Sequence, residues 1–215
     1  MENLSLRQLE SKTWRANQRD GLFDLFFAAL FLGLGMAALA DWLGAPDGVP
    51  LAVGVVIQGV GVLSLWLGRR WITAPRLGRV RFGAARRQRV RTTRLVLAAC
   101  VLMTAGVVTL TALGGLSGKT VSRLTVSAVA ALLVFVPLAA IAYFQEFPRM
   151  LVYAALFAVG EFGGTLLEGI DGLPAPRTIA FGVSALASAA IGATILLRFL
   201  RLPLLGPEQE DRDGA

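Results

Sequence analysis

The chain has 215 residues, 55% of them hydrophobic, a mean hydropathy of +0.66 and a net charge of +7. Several apolar runs of about 20 residues place it with polytopic helical membrane proteins and exclude a soluble domain. Histidine is absent and Cys100 is the single cysteine, which excludes imidazole-dependent hydrolases, HExxH metalloproteases, an internal disulfide and a CxxC redox pair. Neither a cofactor nor a metal site is expected.

In chain order, residues 1–20 are polar and read as a cytoplasmic interfacial helix, retained and not cleaved as a signal peptide, with Ser5 as N-cap and Trp14 at the interface. A first transmembrane hairpin covers 21–68, with spans Gly21–Leu43 and Pro50–Leu67 around an Asp-Gly turn. A basic loop, 69–94, carries ten arginines and no acid; Pro75–Gly83 alternates as an extended segment would, and Ala84–Arg94 has helix propensity. A second hairpin covers 95–145, with spans Leu95–Leu113 and Leu124–Phe144, the latter containing Pro137 as a kink. A third covers 149–200, with spans Met150–Ile170 and Thr178–Leu197, and an acidic, disordered tail occupies 206–215. The predicted fold is therefore an all-α, polytopic transmembrane bundle of six spans.

Counting Lys and Arg on the two sides of six spans gives 18 against 3, so the N- and C-termini and the basic loop are expected on the cytoplasmic face of an inner membrane. Charge so placed beside apolar runs is accounted for by retention and anionic headgroups, and nucleic acid is not expected as a partner. The first and fifth spans share Ala28-Ala29-Leu30-Phe31 and Ala154-Ala155-Leu156-Phe157, and the turns after them share Asp47-Gly48-Val49-Pro50 and Asp171-Gly172-Leu173-Pro174. Either a parallel duplication or the ordinary chemistry of Ala-rich helices and Asp-Gly turns produces this.

The loop Pro75-Arg76-Leu77-Gly78-Arg79-Val80-Arg81-Phe82, Arg149 ahead of Tyr153, and the closing Leu197-Arg198-Phe199-Leu200-Arg201 resemble a family of small, uncharacterised prokaryotic multi-pass membrane proteins. The resemblance implies six helices and a conspicuous cytoplasmic loop, and it implies no activity.

Among the spans, Glu161 is the most informative residue, since a carboxylate there falls near mid-bilayer and must face protein or water. Glu168 shares its helix face about 10 Å away. With Gln58 of the second span these form the candidate ion or proton site; the alternatives are a protonated Glu161 packed among Gly160, Gly163 and Gly164, and Gln58 as interhelical glue. Asp24 is expected to cap its helix or to pair with an arginine at the same depth, such as Arg198. Ser184, Ser188 and Gly192 describe a close-packing face that serves within one chain or between protomers of a homo-oligomer. Gly114–Thr120 ends in Gly-Lys-Thr without the spacing of a phosphate loop.

In the basic loop, Arg76, Arg79, Arg81, Arg86 and Arg87, with Trp71 and Phe82 as apolar anchors, are the candidate surface for anionic lipid headgroups or an acidic protein partner. The leading functional reading is a non-enzymatic sensor, assembly or accessory module that uses this loop. A small proton- or cation-coupled transporter or channel using Glu161 is the alternative, and an intramembrane enzyme comes third for want of further ligands at suitable spacing.

Overall fold

A computed structural model describes residues 20–77, 91, 95, 122–144 and 147–201. The long helices are α1 (Leu22–Trp42), α2 (Val49–Gly68), α4 (Arg123–Phe144), α5 (Arg149–Leu167) and α6 (Pro176–Leu200); a π-helical turn, Arg69–Thr73, and a short α3 (Ala74–Leu77) prolong α2. All regular structure among the described residues is helical, and five helices are long and apolar enough to cross a membrane. They correspond to five of the six expected spans; the interfacial helix, the third span apart from Leu95, and the acidic tail lie outside the described residues.

Local chemistry sets the boundaries. Gly48 and Gly172 turn the chain with φ of 91° and 80°, and Pro50 and Pro176 sit in the first helical positions after the turns, where a missing N–H costs nothing. Helix α4 runs through Pro137, which leaves the carbonyl four residues earlier without its usual donor.

The prolongation of α2 departs from expectation. Residues 69–77 were expected in a loop, extended from Pro75, yet Val49–Arg76 reads as one apolar-to-basic helical stretch of 28 residues. The N–H of Ala74 bonds to the carbonyl of Arg69, five residues back, which widens the helix one residue before Pro75. That widening absorbs the proline, whose ring would collide with a regular α-helical turn.

Helix α1 lies between α2 and α6, and α5 lies between α6 and α4. The core is aromatic: Phe27 and Phe31 of α1, Tyr153 of α5 and Phe181 of α6 are buried together with Phe147 and Met150 from the α4–α5 junction. Phe27 stacks on Tyr153, with centroids 4.3 Å apart and planes 4° from parallel. Small residues bring the backbones into contact around these rings. A Cβ on Gly192 would stand 2.9 Å from the Leu25 nitrogen, and one on Gly160 would stand 2.6 Å from the Phe181 ring. Ser184 bonds to the carbonyl of Leu156 at 2.9 Å. The Ser184, Ser188, Gly192 face is thus buried within this chain, against α5 and α1.

Candidate functional site

The start of α1, the end of α2 and the start of α5 meet at one end of the bundle, and two fully buried carboxylates, Asp20 and Asp24, hold them together. Asp20 precedes the Gly21 N-cap of α1: its Oδ1 accepts the Leu22 N–H at 3.1 Å, and its Oδ2 accepts the Thr73 hydroxyl at 2.9 Å. One residue thereby satisfies an orphan N–H of α1 and fastens the π turn of α2 to it. Four residues on, Asp24 accepts a hydrogen bond from the Tyr153 hydroxyl, and Arg149 Nη1 lies 3.5 Å from its other oxygen. Burying a carboxylate is costly unless it is paired and hydrogen-bonded, and Asp24 has both forms of compensation.

This corrects the pairing suggested for Asp24. Its partners come from α5, and Arg198 is exposed. The residue of α6 that faces Asp24 is Gly192, whose added Cβ would lie 3.0 Å from the Asp24 Cβ. Arg198 is six residues farther along α6, which rotates it to another face.

Above the carboxylates sits the basic surface. Arg69 lies over the Phe23 ring at 4.3 Å, and Arg70 over Trp66 at 5.6 Å. Trp71 is 68% exposed. Arg76 is less available than expected: its Nη1 donates to the Ile72 carbonyl at 3.1 Å and its Nε is buried. The outward pair is therefore Arg70 with Trp71; Arg70 went unremarked in the sequence because it abuts the apolar span. Arg79, Arg81, Phe82, Arg86 and Arg87 lie outside the described residues.

The candidate ion-site residues are not drawn to one point. Gln58 donates to the Ala29 carbonyl of α1 at 3.4 Å, which is interhelical bonding. Glu168 is bound by Arg177 Nε at 2.7 Å, at the far end of α5. Glu161 is partly buried along α5, and its carboxylate has no hydrogen bond or ion pair among the described residues. The glycines beside it serve packing, since Gly160, Gly163 and Gly164 all face α6. Among the described residues no group of three or more acidic or cysteine side chains is placed to hold a metal ion.

Fold and site together define an all-helical bundle with five helices fit to span a membrane and a basic, tryptophan-bearing end braced by buried aspartates. The chain matches no protein-family profile, no curated protein and no solved structure.

Proposed function

We propose that the chain is a non-enzymatic, multi-pass inner-membrane module whose basic cytoplasmic surface engages anionic lipid headgroups. The observation that carries this reading is the prolonged α2. Twenty-eight helical residues measure about 42 Å, against about 30 Å of hydrocarbon, so the helix outlasts the bilayer core. The part that emerges bears Arg69, Arg70, Trp71 and Arg76. An indole and a guanidinium side by side suit the headgroup layer, and each basic residue near an anionic surface is worth about 1 kcal/mol. The bond that Thr73 donates to Asp20 supports the reading further, because a braced surface loses less entropy on binding than a loop.

The test is native mass spectrometry of the full chain with phosphatidylglycerol and phosphatidylcholine, wild type beside Arg70→Gln and Trp71→Ala combined. Wild type should retain the anionic lipid preferentially, and the double variant should lose that preference by roughly fivefold or more. An unchanged preference overturns the lipid reading, and an acidic protein lost from the purified variant would replace it with partner docking.

A second reading, proton or cation coupling in a small transporter, is favoured by Glu161. A carboxylate about 18 Å along α5 from Arg149, with no described partner, is costly in a bilayer unless it serves water or an ion.

A further inference from the structure

At the end of the bundle opposite the aspartates, a cleft of about 480 Å³ opens where α1 ends, α5 ends and α6 begins. Ala38, Asp41 and Trp42 line it from α1, Glu168 from α5, and Ala175, Pro176 and Arg177 from α6. Its volume falls in the range of small-molecule sites, about 300–1,000 Å³. The lining is of mixed charge, with two carboxylates and one guanidinium.

These groups are available in different degrees. Glu168 already holds Arg177 through Nε, which fixes the direction of the guanidinium while 45% of that side chain stays exposed. Arg177 is also in the first turn of α6, where unpaired N–H groups and the helix dipole favour an anion beside it. The Asp41 side chain makes no hydrogen bond or ion pair among the described residues. Next to it, Trp42 presents an exposed indole, a surface that attracts an ammonium group.

The geometry points to a binding site for a phosphoethanolamine group, with its phosphate on Arg177 and the α6 N-terminus and its ammonium on Asp41 and Trp42. The charge pattern narrows the class. Asp41 disfavours a purely anionic headgroup, and Arg177 disfavours a bare cation. A quaternary ammonium cannot donate a hydrogen bond to Asp41, which separates ethanolamine from choline. The cleft also lies where the apolar helix α1 ends in a tryptophan, the depth at which a bilayer presents headgroups. Lipid is one source of this group, and free phosphoethanolamine is the other.

The test uses the full-length protein in an uncharged detergent and reads dissociation constants for short-chain phosphatidylethanolamine, phosphatidylcholine and phosphatidylglycerol, and for free phosphoethanolamine. Wild type should bind the ethanolamine lipid about tenfold more tightly than the choline lipid, the scale of one charge-assisted contact, and protein carrying Arg70→Gln and Trp71→Ala, which lacks the opposite basic surface, should show the same margin over the glycerol lipid. Asp41→Asn should erase the preference over choline, and Arg177→Gln should weaken ethanolamine binding. Heat-unfolding midpoints check each variant; if Arg177→Gln does not fold, Asp41→Asn decides alone, since that side chain has no described bond to lose. Free phosphoethanolamine binding as tightly as the lipid identifies a soluble source, and binding of the lipid alone identifies the membrane. No preference in wild type, or a preference intact in Asp41→Asn, overturns the assignment.

Discussion

At the scale of single residues, the bundle is held at its basic end by carboxylates that a hydropathy plot counts only as interruptions. Asp24 is fully buried and depends on Tyr153 and Arg149 for compensation. Tyr153→Phe keeps the ring stacked on Phe27 and removes only the hydroxyl, so any loss of stability isolates the hydrogen bond. The expected cost is about 1–3 kcal/mol, because the carboxylate stays buried after its donor is gone. A lowered midpoint of heat unfolding in detergent would show it, and an unchanged midpoint would mean that Arg149 alone sustains Asp24. The sequence displays Asp20 and Asp24 one helical turn apart, yet nothing in that spacing names Thr73 or Tyr153, which are 53 and 129 residues away from their respective partners.

For the helices, the deciding contacts are those that exclude side chains. At Gly21, φ is 75° and an added Cβ would lie 2.6 Å from the Gly192 carbonyl oxygen, so backbone conformation and space both require glycine where α1 meets α6. Gly192→Ala should therefore destabilise the protein by about 1–3 kcal/mol through overpacking, whereas Gly182→Ala on the same helix, with open space at its Cβ, should not. Comparing the unfolding midpoints of the two variants checks the α1–α6 contact directly. The small-residue face of α6 was legible in the sequence as a four-residue repeat, but its partner was not. A repeat of small residues states that something comes close, and only the packed chain shows that α5 and α1 do so.

On the scale of the whole molecule, the five described helices leave α2 at one edge with most of its apolar residues exposed among the described residues, a larger apolar face than a water-facing surface ordinarily carries. The transport reading turns on Glu161. Were it a coupling acid, liposomes carrying wild-type protein should show a pH-dependent proton or cation flux that Glu161→Gln abolishes, because the amide keeps the shape and cannot titrate. Absence of flux in both would leave Glu161 a packing residue and strengthen the lipid-binding reading.

The helical class, the positions of five long helices to within a few residues except at the prolonged end of α2, and the Asp-Gly turns that join two hairpins were all determined by the sequence alone, because hydropathy, helix periodicity and turn chemistry are local properties. Tertiary structure alone decided that the basic segment begins as helix, that Asp24 belongs to Tyr153 and Arg149, and that Gln58 and Glu168 are engaged at different places in the fold. Each of these depends on which faces of distant helices are brought together. An apolar span reveals its length through its own residues, but its rotation about its axis is set by the neighbours it packs against.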